Sequence, residues 1–233
     1  MSSSAPENIV CVIGMHRSGT SCLTGSLQAS GLILGKFHEE NPYNKKGNRE
    51  NQDIVDLHDQ ILAANEGSWD VPPELVSWHA AHIEAAKGIL ERYQEHTFWG
   101  FKDPRALLCL EGWKSIVPSI KFVGIFRHPD SVAASLKNRS GMCRDDALRL
   151  WYHYNSLLYA EYQRNPFPLI SFDWDEPKFH QELGQAMNTL GLRVDETNEH
   201  FFSSHLRTHR NQSYEGLPEH ILTMYKALQE LCK

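Results

Sequence analysis

Gly14 and Gly19 bracket Met15-His16-Arg17-Ser18, and Thr20-Ser21 follow at once. Glycines so placed, after an apolar run and before a helix-forming stretch, let the backbone turn tightly and aim successive N–H groups inward. Such a loop, backed by the positive end of a helix, holds an anion. The spacing comes close to the nucleoside-triphosphatase pattern G-x-x-x-x-G-K-[ST], but Thr20 stands where its lysine belongs. The cation has moved into the loop as Arg17. A kinase without that lysine loses the charge that steadies a migrating phosphoryl group, whereas a loop arginine still serves a ligand with fewer phosphates in line. His16, Arg17, Ser18, Gly19, Thr20 and Ser21 are the expected contacts of that ligand.

A second anion site is encoded at Arg127-His128-Pro129-Asp130-Ser131-Val132-Ala133-Ala134-Ser135. Phe122 to Phe126 read as a buried strand, and Pro129 suits the first turn of a helix with an acid after it. Ser135 then lies along that helix, so that Arg127 and Ser135 can share one phosphate, such as a ribose 3′-phosphate. A third loop, Phe98-Trp99-Gly100-Phe101-Lys102-Asp103-Pro104-Arg105, ends an apolar run with charge. An aspartate there fits a magnesium site of the kinase type, which Lys102 argues against.

These segments resemble the sulfotransferases that use 3′-phosphoadenosine 5′-phosphosulfate (PAPS). Gly14 to Ser21 is similar to their 5′-phosphosulfate loop in the arginine form of the bacterial and Golgi-type branches, and Arg127 to Ser135 to their 3′-phosphate motif. The likeness runs from about Ile9 to Phe172. It implies PAPS as donor, adenosine 3′,5′-bisphosphate as product, and transfer to a hydroxyl or amine of a small-molecule, carbohydrate or lipid-like acceptor. It also implies that Lys102 faces the bridging oxygen of the sulfate ester, beside Arg17. The proton acceptor is expected beyond the loop. Glu50, taken as opening a helix after Gly47, comes first because the bacterial branch has a similar Gly-x-x-Glu arrangement, and His38, Glu39 and Glu40 stand behind it. The chain departs from the cytosolic animal branch at three points. Cys22 replaces an adenine-stacking tryptophan, Phe172 a frequent tyrosine, and the lysine-valine-glutamate dimer motif is missing. Trp69 and Trp174 are the alternatives for stacking on a base. Two other readings stay open at this point, a nucleotide or small-molecule kinase and a nucleotide-binding module without catalysis.

The elements that must position these residues alternate along the chain. Apolar strand-like runs at 8–14, 97–101, 120–126 and 168–172 are separated or followed by helical patterns at 19–30, 50–64, 77–94, 105–116, 130–138, 143–163, 177–190 and 218–231. Alternation of this kind predicts an α/β fold, a mostly parallel sheet with helices on both faces in a three-layer P-loop-like sandwich. All three loops then fall at the carboxyl ends of strands, where ligands of such sheets bind. A length of 233 residues with 41% apolar content suits one domain, read as 8–233 after a disordered tail at 1–7.

Charge and cysteine usage narrow the classes further. Lys and Arg total 23 against 29 Asp and Glu, a net of −6 that disfavours a nucleic-acid partner and requires positive potential to be local. Arg17, Lys102, Arg105, Arg127 and the run Arg207-Thr208-His209-Arg210 are its expected sources. The five cysteines, Cys11, Cys22, Cys109, Cys143 and Cys232, form no C-x-x-C pair, which fits a reducing compartment. The 13 histidines show no metal-ligand pattern, since His79/His82 and His205/His209 have no acidic or thiol neighbour, so no metal is expected. Neither a membrane-length apolar run nor a secretory signal is visible, and the chain reads as cytoplasmic.

Overall fold

In β1 (Asn8–Ile13) five of six residues are buried, and their alternation explains the layering of the protein. Ile9, Cys11 and Ile13 join one apolar cluster, while Val10 and Val12 join another on the opposite side. A strand with apolar residues on both faces is stable only when both faces are covered. The computed structural model describes residues 6–37, 47–193 and 213–232, and within them the cover is complete. One face carries α1 (Thr20–Ala29) and α7 (Glu176–Leu190), through Leu23, Leu27, Phe179 and Leu183. The other carries α2 (Gln52–Ala64), α3 (Ala80–Glu91), α4 (Leu110–Ile116), α5 (Pro129–Ser140), α6 (Arg144–Arg164) and α8 (Glu219–Glu230). Burying each such aliphatic side chain contributes about 1.5–3 kcal/mol, so the two clusters hold the sheet between them.

The sheet has four parallel strands in the order β2-β1-β3-β4, with β2 at Phe98–Lys102, β3 at Lys121–Phe126 and β4 at Leu169–Ser171. Val12 pairs with Lys102 on one side and with Val123 on the other, so the strand ends that carry the three charged loops are adjacent. The chain leaves β1 toward the α1 and α7 face, and leaves β2 and β3 toward the opposite face. Loops that part in this way open a crevice at the carboxyl ends of the strands, between β1 and β3.

Two local expectations are corrected. The helix expected over 105–116 is two pieces, a 3₁₀ turn at Pro104–Leu108 and then α4. Asp103 caps the turn by accepting from the Arg105 N–H at 3.2 Å, and the Cys109 N–H bonds back to the Ala106 carbonyl at 3.0 Å, closing it before α4 begins. Glu50 does not open a helix. Asn51 is the N-cap of α2, its Oδ1 accepting from the Asp53 N–H at 3.1 Å, which leaves Glu50 one residue outside. No helix among the described residues is long and apolar enough to cross a membrane.

Candidate active site

The loop after β1 is shaped by what its glycines touch. A Cβ at Gly14 would come within 2.3 Å of the Ile125 carbonyl oxygen, so only glycine lets the loop cross β3 this closely. Gly19 has φ of 92° and faces Phe172, whose ring carbon would lie 2.3 Å from an added Cβ. Between them Arg17 also takes the left-handed region, at φ 66°, a strain of order 1–3 kcal/mol that arginine adopts here to aim its side chain. Gly19 starts α1, accepting from the Cys22 and Leu23 amides at 3.0 and 3.1 Å. The amides of Thr20 and Ser21 belong to a first helical turn and have no acceptor within the helix. Two polar atoms inside the loop, Ser18 Oγ and His16 Nε2, are buried with no hydrogen-bond partner among the described residues.

His16 is enclosed by aromatic rings, with Trp69 at 4.5 Å and Tyr154 edge-on at 5.9 Å. Burial holds its imidazole well below the usual histidine range, and the charges of Arg105, Lys102 and Arg139 act the same way against the opposing effect of Asp103. It is therefore neutral, and Trp69 is engaged with it through a ring contact. The Tyr154 hydroxyl fixes that arrangement by donating to the Trp69 carbonyl at 2.8 Å.

The loop after β1 and the segment after β3 meet in one contact. Arg17 Nε donates to Ser135 Oγ at 2.8 Å, and Arg127 Nη1 donates to the Arg17 carbonyl at 3.3 Å. Arg127 also lies over the Phe172 ring at 5.2 Å. Its position is set by neighbours: the Trp151 indole N–H bonds the Arg127 carbonyl at 2.9 Å, and the His128 N–H donates to Asp173 Oδ2 at 2.6 Å. The Tyr225 hydroxyl donates to that same oxygen at 3.1 Å. Burial raises the Asp173 carboxyl above the ordinary range, while Arg127 and these donors oppose it. His128 Nδ1 accepts from the Asp130 N–H at 3.3 Å and Pro129 follows at the first turn, which starts α5 and carries Ser135 to Arg17. One residue was missed from sequence. Arg139, four positions after Ser135 on α5, shares its face, and its charge adds to burial, the larger cause, in lowering the proton affinity of Arg17 and His16. The helical pattern assigned to 130–138 stopped one residue short of it.

On the other side of the loop Lys102 is 1% exposed, and its Nζ lies 2.6 Å from Glu50 Oε1, a carboxylate 20% exposed. Arg105 is tied down by Asp103 at 2.9 Å and Asp59 at 2.7 Å. Burial alone would raise the Asp103 carboxyl, but a hydrogen bond from His58 and the charge of Arg105 hold it well below the ordinary carboxylate range. The other aromatic candidate, Trp174, has Lys178 over its ring at 4.7 Å, and Cys22 packs half-buried beside the α1 and α7 cluster. His38, Glu39, Glu40 and the Arg207 to Arg210 run lie outside the described residues. Arg17, Lys102, Arg127, Ser135, Glu50 and the loop at 16–21 are thus gathered at one end of one sheet. Such an arrangement concentrates cations, loop amides and one carboxylate in one place, a chemistry suited to an anionic ligand.

The sequence profile described as the sulfotransferase family matches residues 10–173 of the chain. No curated protein matches it in sequence. Among solved structures it is similar to the sulfotransferase domain of the olefin synthase of Synechococcus PCC 7002, with a TM-score of 0.58 and 14% identity over 100% of this chain and 97% of that one. It is also similar to the sulfotransferase domain of the curacin biosynthetic pathway, with a TM-score of 0.54 and 15% identity over 97% of this chain and 99% of that one. At these identities the likeness establishes a shared fold.

Proposed function

Because the chain belongs to the sulfotransferase family, we propose that it moves a sulfuryl group from PAPS to a hydroxyl or amine of a small-molecule, carbohydrate or lipid-like acceptor. The observation that supports this reading is the contact of Arg17 with Ser135, with Arg127 on the Arg17 carbonyl, because it joins the two segments that sequence reads as phosphate-binding. A donor with phosphate at both its 3′ and 5′ positions would use both groups of cations. The residues present fit it: the amides of 16–21 receive the 5′ end, and Arg127 with Ser135 the 3′-phosphate. Adenosine 3′,5′-bisphosphate is then the product.

Arg17 and Lys102 stabilise charge that builds on the departing phosphate, an effect greatest where water is excluded. Glu50 receives the acceptor's proton as the new O–S bond forms. In the resting protein one oxygen of that carboxylate is occupied by Lys102, 2.6 Å away. Attraction of Lys102 toward the incoming anion turns it from Glu50, whose oxygen is then available to the acceptor hydroxyl. The negative net charge and local cations argue for a small anionic donor and against a nucleic-acid partner. The five free cysteines fit a reducing, cytoplasmic setting.

The test is a screen of hydroxyl and amine acceptors with radiolabelled PAPS, without added metal or ATP. Label transfer that requires PAPS supports the reading. Turnover that instead requires ATP and magnesium would favour a kinase, and tight bisphosphate binding with no transfer to any acceptor would leave a binding module.

A further inference from the structure

The polar contacts between α2 and the turn after β2 continue away from the site, through a histidine that the chemistry above does not use. Trp113 of α4 donates its indole N–H to His58 Nε2 at 2.8 Å, and His58 Nδ1 lies 2.8 Å from Asp103 Oδ2. An indole nitrogen only donates, so Nε2 is the acceptor and the ring hydrogen sits on Nδ1, where it donates to the carboxylate. All three side chains are fully enclosed. The second Asp103 oxygen accepts from the Arg105 backbone N–H at 3.2 Å and from its Nη1 at 2.9 Å.

Three polar pairs therefore join α2 and the residue before its cap to the end of β2 and the turn after it: Glu50 with Lys102, His58 with Asp103, and Asp59 with Arg105. Asp103 is the residue after Lys102, so whatever fixes its carboxylate also fixes the direction in which the Lys102 side chain leaves the strand. A buried carboxylate stripped of a donor is costly, and the turn around it relaxes until the charge is matched. A shift of about 1 Å at a positioned group costs on the order of 10²-fold in rate.

We propose that His58 is a positioning residue for sulfuryl transfer, holding Asp103 so that Lys102 is aimed at the 5′ end of the donor; the inference rests on the sulfotransferase reading above. The histidine acts through one hydrogen bond, from Nδ1, and the Trp113 contact selects the tautomer that can make it.

The probe is adenosine 3′,5′-bisphosphate, followed by calorimetry and by phosphorus NMR, which resolves its two phosphates in the bound state. With Lys102→Ala as reference, His58→Leu is expected to move the bound 5′-phosphate resonance toward the reference position while the 3′-phosphate resonance stays in place. Affinity should change by no more than about threefold, because Arg127 and the loop still hold the nucleotide. His58→Asn, whose amide N–H sits where Nδ1–H does, should restore the wild-type resonance. Trp113→Phe, a milder change that frees the tautomer, should shift the 5′-phosphate in the same direction and by less, and it serves where His58→Leu fails to fold. A 5′-phosphate unmoved in His58→Leu and Trp113→Phe, or both phosphates moved alike with no rescue by asparagine, would overturn the proposal and leave His58 as a core residue. Wild-type protein that does not bind the bisphosphate would instead overturn the donor reading itself, and this inference with it.

Discussion

The guanidinium of Arg17 donates from Nε to Ser135 Oγ at 2.8 Å, joining positions 118 residues apart. One lies in the loop after β1 and the other on the helix after β3, so the bond exists only because those strands are neighbours. It fixes the orientation of an arginine held at positive φ, whose own carbonyl accepts from Arg127.

The protein should therefore bind adenosine 3′,5′-bisphosphate far better than adenosine 5′-phosphate. A phosphate held by Arg127 and Ser135 through charge-assisted bonds contributes on the order of 2–4 kcal/mol. Titration calorimetry with both nucleotides measures the difference, and Arg127→Ala should abolish most of it. Equal affinities in the wild-type protein, or an unchanged preference in the variant, would remove the 3′-phosphate assignment.

Lys102 and Glu50, 2.6 Å apart, should separate in kinetics. Lys102→Ala and Arg17→Ala are each expected to lower kcat by about 10²–10³-fold, with smaller losses in product-nucleotide affinity, as groups proposed to act on charge that develops during transfer. Glu50→Gln keeps the shape and loses the basicity, costing about 10²–10⁴-fold with donor binding intact. A glutamine variant that turns over an accepted hydroxyl substrate at the wild-type rate would make Glu50 a structural partner of Lys102, and the test would pass to His38, Glu39 and Glu40.

Replacing Gly19 should damage folding as well as binding. An added methyl meets the Phe172 ring at 2.3 Å and must sit at φ 92°, so Gly19→Ala combines overpacking with backbone strain. The expected loss is about 2–5 kcal/mol in denaturant unfolding. A truncated neighbour, Phe172→Ala, should recover part of it in the double variant; strict additivity would show that the two positions do not meet.

Acid should destabilise the protein from the histidine range downward. The buried His16 is held neutral well below its ordinary value near 6.5, while the unfolded chain takes up the proton at that value. Across that window the unfolded state binds more protons, so stability is complete above about pH 6.5 and falls as pH falls, by up to about 1.4 kcal/mol per pH unit for each such group. His128 and His153 are lowered by burial in the same sense. Unfolding midpoints measured from pH 7.5 to 5.5 test this, and His16→Phe, which keeps the ring against Trp69, should flatten the slope. An identical slope in the variant would place the acid sensitivity elsewhere.

Thiol reactivity should single out one cysteine. Cys143 is exposed, whereas Cys11 and Cys109 are buried and their thiols are pushed up by that burial, Cys232 likewise to about 12. A thiolate is the reacting species, so labelling of the native protein should go to Cys143 first. Equal labelling of Cys11 in the folded state would contradict its enclosure in the core.

Much of this protein is legible along the chain. Apolar runs marked four strands close to where they stand, and Gly14, Gly19, Arg17, Arg127 and Ser135 marked the segments that meet at the sheet's end, because loop shape and residue chemistry are local properties. The family match over 10–173 covers almost the same stretch as the resemblance read from the motifs. What the chain order does not contain is which distant groups meet. The placing of β1 between β2 and β3 follows from long-range packing and carries Arg17 to Ser135, while the docking of α2 on the turn after β2 carries Glu50 to Lys102. Arg139 was missed because a helix end is set by its capping, here by Gly141, rather than by periodicity. His58 carries no motif. Its role comes from enclosure between Trp113 and Asp103, where a buried carboxylate must find a donor, and only the folded chain decides which donor that is.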